Sequence, residues 1–462
     1  MVPMNDEITI NQDELMSEAP RSRGSRFPNW PHWRRALKWL GFTLLLAIIA
    51  VAAFLYINIA KISINPFGFG SLKGESLGRV NIMMLGVGDP GHDGENLSDT
   101  DMVISLNTRT HQIALISIPR DTRVPIPGNG YGKINNANAY GGVSLAKTVF
   151  QNTLGIPIDY YVKANFTGLR EVVDAVGGVD VNNTTYLSDS SYPCDNNQYR
   201  SCGFTLAPGH YHLNGTTALK YVRCRKGTCG DDFGRATRQQ QVMQSIRSRA
   251  ASAGTLGNPV ALAKLVSAAG GNIQTDLSLN NMLRLDQLTK QTASSNIFSI
   301  VFNLLPDGFL ISDPQGSSDL LPVGGDFSQI QTFVQSIFTQ GPIWAEHPTV
   351  VIENGTTTPG IGGKFSQKLK DDGYDVTVSA VTNALTQDHT TSQVIDYSGG
   401  KDAHTLAYLE SLLKLKQATP PAVPTKYPPA DIVVILGSDY AASLAPATTT
   451  PAAQSGGTTT GQ

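Results

Sequence analysis

Residues 39–60 (WLGFTLLLAIIAVAAFLYINIA) carry no charged side chain. About 20 apolar residues at 1.5 Å rise span a hydrocarbon core ~30 Å thick, so this run predicts a transmembrane helix. A buried core helix would show a polar stripe, and none is present. A cleaved signal would have a shorter apolar region, roughly 7–15 residues, and a small-x-small site, for which Asn58-Ile59-Ala60 is a poor match. Residues 61–78, with Gly, Pro and Ser, read as a stalk.

From Arg79 the texture changes. VNIMMLGV is a buried-strand run, MVISLN alternates, and HQIALISIP is again strand-like. SLAKTVFQNTLG predicts a helix closed by Gly155, and IDYYVKANF a strand. TGLREVVDAVGG predicts a helix with Thr167 as N-cap and Gly177 past its end, followed by the strand VDVNN. Strand and helix alternate through residues 79–340, which predicts a layered α/β domain. A second, smaller α/β unit is expected over 348–440: TVVIENGT, VTVSAV, TSQVIDYSG and DIVVILGSD as strands, FSQKLKDDGYDV and DAHTLAYLESLLKL as helices. Residues 1–38 and the Thr/Ala/Pro/Gly tail 441–462 read as disordered arms.

Charge changes this picture less by its total than by its placement. The 462 residues hold 35 Lys+Arg and 37 Asp+Glu, a net charge of −2, and only 16% are charged against about 25% in an average soluble chain. Near-neutrality argues against nucleic acid as a partner. Residues 1–20 hold five acids and no base, and Arg21, Arg23, Arg26, Arg34, Arg35 and Lys38 follow with no acid among them. That basic flank predicts a cytoplasmic N-terminus and an extracellular body on a single-pass anchor in the cell membrane. Cys194, Cys202, Cys224 and Cys229 all fall on the outer side. An even number in an oxidising location favours disulfides, with the local pairs Cys194–Cys202 and Cys224–Cys229 expected among three connectivities. Zinc is the rival, but neither pair has C-x2-C spacing.

Three clusters carry chemistry. LGVGDPGHDGENLSDTDM presents Asp89, Asp93, Glu95, Asp99 and Asp101 in what reads as one loop after a buried strand, a hard-oxygen set suited to Mg²⁺. SIPRDTRVPIPGNGYGKIN places Arg120, Arg123 and Lys133 where a strand gives way to a Pro/Gly loop. ALKYVRCRKGTCGDDFGRATRQQQV adds Arg223 and Arg225, then a helix capped by Asp231 or Asp232, with Arg235 and Gln239 on one face. Each cluster alone reads more readily as solvated surface. Together, in an exported and tethered domain, they suit Mg²⁺-assisted chemistry on a pyrophosphate.

SDTDMVISLN, SIPRDTRVPIPG, GKINNANAYGG, LGIPIDYYVKANFTGLREVVDAVGGVDV, HLNGTTALKYVRCR and DFGRATRQQQV, in this order, resemble the successive signatures of the LytR–CpsA–Psr family. Residues 348–440 resemble the LytR C-terminal domain often appended to it. The resemblance implies a phosphotransferase that moves a glycopolymer from an undecaprenyl-pyrophosphate carrier to peptidoglycan, with pyrophosphatase as a side reaction. It implies Mg²⁺, with Mn²⁺ as the alternative, on Asp89 and Asp99. Pyrophosphate would be bound by Arg120, Lys133, Arg223, Arg225, Arg235 and Gln239, with Arg238 and Asp232 beside them and Asp121 orienting the Arg120 loop. Arg120, Asp99, Asp232 and Arg235 form the expected catalytic group, and either carboxylate is a candidate proton acceptor. Helix 167–176 and residues 160–162 are the expected walls of a lipid groove. One departure is Leu97, where the family commonly has Arg. His92 and Arg123 are the residues that could compensate. Two other function classes remain open at this point: a non-catalytic envelope-polymer scaffold and a membrane-bound transcriptional attenuator. The latter is disfavoured because the cytoplasmic arm lacks a helix-turn-helix pattern.

Overall fold

The structure, a computed structural model, describes residues 71–194, 197–252, 267, 270–304, 308–371, 377–415 and 430–444. The N-terminal arm, the expected span 39–60 and residues 445–462 of the tail lie outside these. Among the described residues no helix is long and apolar enough to cross a membrane.

Six strands build the central sheet: β1 (Arg79–Val87), β2 (Ser98–Asn107), β3 (Ile113–Ser117), β4 (Tyr160–Asn165), β5 (Ile273–Thr275) and β6 (Ile297–Val301). Their order is β5-β4-β1-β2-β3-β6. β1, β2 and β3 run antiparallel in sequence, while β4 lies parallel to β1 and β6 parallel to β3. An apolar run such as β1 belongs in a sheet covered on both faces. Met83 and Leu85 point into one cluster, where α1 (Asn136–Leu154), α6 (Ser328–Gln335) and α7 (Ile337–Glu346) supply Phe150, Phe333 and Trp344. Val80 and Ile82, one residue out of phase, join Leu288 of α5 (Leu279–Thr289) on the other face.

A third cluster joins α2 (Phe166–Ala175), α3 (Gly215–Arg223) and α4 (Asp231–Ser252) through Val173, Val222 and Val242. One buried side chain stitches α4 to the sheet. The Gln240 amide donates to Leu115 O at 3.1 Å, Ser117 Oγ at 2.8 Å and Ile300 O at 2.9 Å. Both expected disulfides, Cys194–Cys202 and Cys224–Cys229, are present.

The C-terminal unit has a four-stranded sheet, β7 (Thr349–Asn354), β8 (Thr377–Asn383), β9 (Gln393–Asp396) and β10 (Ile432–Leu436), ordered β8-β7-β10-β9. It carries α8 (Ile361–Asp371), α9 (Ala403–Leu412) and α10 (Ser438–Ser443). Glu346, at the end of α7, accepts the His404 and Thr405 N–H groups at 2.8 Å each and the Thr405 hydroxyl at 2.7 Å. The α9 N-terminus is thus capped from the preceding unit.

Four local readings change. Asp99 and Asp101 lie on β2 rather than in a loop, because Asp101 is buried and hydrogen-bonded to Ser98 Oγ at 2.5 Å. Asn165, not Thr167, caps α2, its side chain accepting from Gly168 N at 2.8 Å. The stalk already joins the domain at Leu72, which is buried beside β1. The tail stays helical to Ser443, since Tyr440 is buried against Phe365.

Candidate active site

The C-terminal end of β1, the start of β2, the turn after β3 and the first turns of α4 converge on a cavity of about 330 Å³. Arg120, Arg223, Arg225, Arg235, Asp99 and Gln239 line its polar end. These residues come from three separate stretches of chain. Arg120 follows β3 and Pro119, Arg223 and Arg225 follow from α3, and Arg235 and Gln239 stand one turn apart on α4.

Two carboxylates hold these guanidinium groups in place. Arg120 Nη1 donates to Asp99 Oδ1 at 2.6 Å, and Arg120 Nε to Asp232 Oδ2 at 3.3 Å. Asp232 Oδ1 lies 3.2 Å from Arg235 Nη2 and 3.7 Å from Arg225 Nη1. Gln239 donates to the Asp99 carbonyl at 3.4 Å. Burial works against the Arg120 charge, but Asp99, Asp232 and Asp121 outweigh it and keep its pKa above the ordinary arginine value. Arg235 is more deeply buried, and desolvation pulls its pKa down against the same Asp232 and Asp99. The result is a set of cations whose partners an incoming anion can replace.

The other end of the cavity is apolar. Met84 and Met102 from the sheet, Phe166 and Leu169 from α2, Leu219 and Val222 from α3, and Val242, Met243 and Ile246 from α4 form its wall. Helix 167–176 contributes as expected through Leu169. Residues 160–162 do not line it: Tyr160 and Tyr161 are buried in the two sheet cores, and β4 reaches the cavity only at Ala164 and Asn165.

Arg223 lies 3.9 Å from the Phe166 ring centroid, with Nη2 3.4 Å from His92 Nε2. His92 therefore sits beside this guanidinium, whereas Arg123 turns away to Asp319 at 3.9 Å. Three other expected site residues stand apart from the cavity wall. Lys133 donates to Asp121 at 2.7 Å and to Ser318 at 2.8 Å. Arg238 donates to the carbonyls of Tyr221 and Cys229 at 2.8 Å and to that of Cys224, so it braces the disulfide loop instead of facing the cavity. Asp89 is held at the start of α2 by Thr167 N at 2.8 Å and Thr167 Oγ1 at 3.0 Å.

Sequence reasoning missed Asp189, Phe166 and Tyr192. Asp189 is buried and accepts the Arg225 and Lys226 N–H groups at 3.3 and 3.1 Å, fixing the Arg225 loop. Its only signal was a carboxylate followed by Ser190 and Ser191, which does not identify a distant partner.

Of the two carboxylates on the cavity wall, Asp189 is taken up by the Arg225 and Lys226 N–H groups, which leaves Asp99 for a metal. Its Oδ1 is taken by Arg120, while Oδ2 has no bond to a described residue. Among the described residues no three His, Cys, Asp or Glu side chains converge. One carboxylate completed by substrate oxygens and water is nevertheless within what Mg²⁺ uses.

Residues 59–308 match the model of the LytR–CpsA–Psr family. Residues 347–440 match that of the domain described as LytR cell envelope-related transcriptional attenuator. An Enterococcus faecalis protein named polyisoprenyl-teichoic acid–peptidoglycan teichoic acid transferase TagU is 35% identical over 251 residues, 52% of this chain and 78% of that protein. A Bacillus mycoides protein of the same name is 37% identical over 209 residues, 45% of this chain and 64% of its own length, so this chain spans less than two thirds of it. The crystal structure of B. subtilis TagV aligns with 28% identity and a TM-score of 0.46, over 56% of this chain and 97% of that one.

Proposed function

The chain belongs to the LytR–CpsA–Psr family, and from that premise we propose that it transfers a glycopolymer from a polyprenyl-pyrophosphate carrier to peptidoglycan. The observation that carries this reading is the two-ended cavity: guanidinium groups at one end, an apolar wall of Met84, Leu219, Val242 and Ile246 along the other. A lipid pyrophosphate has the matching parts, an anionic head on an apolar chain. The relatives' names supply the same class of reaction.

In this mechanism Arg120, Arg225 and Arg235 exchange part of their pairing with Asp99 and Asp232 for pyrophosphate oxygens. Gln239 and Arg223 complete the cradle. An acceptor hydroxyl attacks the sugar-proximal phosphorus. A new P–O bond forms, the P–O bond of the pyrophosphate bridge breaks, and lipid monophosphate departs carrying the proton lost by the hydroxyl. The guanidinium groups stabilise charge that spreads over the phosphoryl oxygens in the transition state. Asp232 lies behind three guanidiniums and serves to orient them. Mg²⁺, or Mn²⁺ in its place, would be held by Asp99 and would supply charge neutralisation of the pyrophosphate. The anchor at 39–60 would hold the site outside the cell membrane, at the surface where the carrier's lipid is embedded.

The test is polymer transfer from a synthetic polyprenyl-pyrophosphate donor to peptidoglycan by the full chain. Arg120→Ala and Arg235→Ala are each expected to lower transfer by roughly 10²–10³-fold, the cost of removing a donor to developing charge. Transfer at the wild-type rate in both variants would overturn the assignment. Chelation followed by Mg²⁺ or Mn²⁺ addition tests the metal, with restoration of transfer expected.

A further inference from the structure

Among the described residues, four arginines stand on the wall of the cavity, and they are held in two different ways. Arg120, Arg225 and Arg235 each pair with Asp99 or Asp232. Arg223 has no carboxylate within ion-pair distance among the described residues. Its guanidinium carbon lies 3.9 Å from the Phe166 ring centroid and 5.8 Å from that of Tyr192. His92 completes the surround. Its Nδ1 is 2.8 Å from Asp93 O, which can only accept, so Nδ1 carries the hydrogen. Nε2 is then the acceptor that faces Arg223 Nη2 at 3.4 Å. The His92 ring meets the Phe166 ring edge-on, with centroids 5.2 Å apart.

Tyr192 owes its place to a segment braced at several points. Leu187–Asp189 pairs antiparallel with Phe204–Leu206, and Pro193–Cys194 with Asn197–Ser201. The Cys194–Cys202 disulfide closes this hairpin, and the Cys202 and Gly203 N–H groups donate to Tyr192 O at 2.8 and 3.1 Å. The Tyr192 ring is buried and packs on Phe204 at 5.8 Å. At the base of the hairpin, Asp189 accepts from Ser191 N and Oγ at 3.1 and 2.9 Å while also holding Arg225 N. Farther along, Tyr199 donates to Asp93 Oδ1 at 2.9 Å, on the loop that carries His92. The hairpin is thereby fastened to the Arg225 loop and to the His92 loop.

Rings and carboxylates restrain a guanidinium with different consequences. A carboxylate occupies N–H donors, and an incoming phosphate must displace it. An aromatic face attracts the cation through its quadrupole without taking the strong hydrogen bonds a phosphate needs. Arg223 is therefore held in place and yet keeps its donors, apart from the one turned to His92. Its position also sorts the ligand. Phe166 belongs to the apolar wall and Arg223 to the polar end, so their contact marks where one gives way to the other. A lipid pyrophosphate changes from hydrocarbon to anion at the phosphate bonded to the lipid.

We propose that Phe166 and Tyr192 clamp Arg223 as the group that receives the lipid-side phosphate, with Tyr192 a positioning residue supplied by the disulfide-closed hairpin. The inference rests on the lipid-pyrophosphate reading above and gives the aromatic pair its part in it.

The probe is geranylgeranyl pyrophosphate, titrated into the full chain in detergent and followed by calorimetry. Tyr192→Leu is expected to weaken binding roughly five- to tenfold. Tyr192→Phe, which keeps the ring, is expected to recover most of that loss. Arg223→Gln supplies the other side of a double-mutant cycle, and in its presence Tyr192→Leu is expected to weaken binding less than about twofold further. Phe166→Leu, on α2 and outside the hairpin, is expected to couple to Arg223 in the same way, which keeps the test decisive where Tyr192→Leu disturbs the hairpin itself. Losses of the same size with and without Arg223, or wild-type affinity in both leucine variants, overturn the clamp. Absence of binding by the wild type is a separate failure, that of the lipid-pyrophosphate reading.

Discussion

Arg235 and Arg238 are neighbours on one helix with opposite employment, and the difference is which groups meet them. Arg235 faces Asp232 and the cavity, while Arg238 gives its donors to three backbone carbonyls. Arg238→Ala leaves those carbonyls without donors and is expected to cost about 3 kcal/mol or more of stability, read by urea unfolding. Asp101 offers a second test. Burial pushes its carboxyl up to about 7, partly offset by the Ser98 hydrogen bond. The folded chain therefore binds this proton more tightly than the unfolded chain. The stability it contributes is complete below the unfolded carboxylate value, about 4, and is lost as pH rises through about 7. In metal-free buffer, Tm is expected to fall between roughly pH 4 and pH 7 for the wild type and to level off above that, while Asp101→Asn removes that part of the slope. Neither behaviour was readable from the one-dimensional chain, where Arg238 looked like another phosphate ligand and Asp101 like one more loop acid.

The elements themselves were largely legible. An apolar run long enough to be buried on both faces gives β1, and alternation gives β2. What periodicity could not supply is the register between α4 and the sheet, because it depends on Gln240 finding two carbonyls and a hydroxyl from β3 and β6. Gln240→Ala removes that pin. It is expected to cost about 2 kcal/mol and to raise hydrogen exchange through the first turns of α4, with donor affinity falling as Arg235 and Gln239 lose their fixed position. Unchanged exchange there would show that α4 is positioned by its apolar face alone. The Thr167 cap was misread for a similar reason. Asn165 reaches Gly168 N first, and Thr167 is thereby left to hold Asp89.

At the scale of the molecule, the two α/β units meet where Glu346 caps α9. Glu346→Ala is expected to uncouple them, so that limited proteolysis releases the C-terminal unit more readily while the catalytic unit keeps its Tm. A single transition with wild-type cleavage kinetics would show that other contacts hold the junction. The sequence by itself determined the alternation of strands and helices, the even cysteine count that both disulfides satisfy, and the concentration of carboxylates and arginines in three segments. These are local properties, written in spacing and composition. Only the tertiary structure decided which charges share a cavity, because strand pairing and helix packing bring Asp99 within ion-pair distance of Arg120 and Arg235, and Asp232 within that distance of Arg120, Arg225 and Arg235. The same packing turned Lys133, Arg238 and Asp89 to other partners and set Tyr192 beside Arg223, two residues with no shared motif. Contacts between residues far apart in the chain depend on how the whole core closes, and no local pattern encodes that.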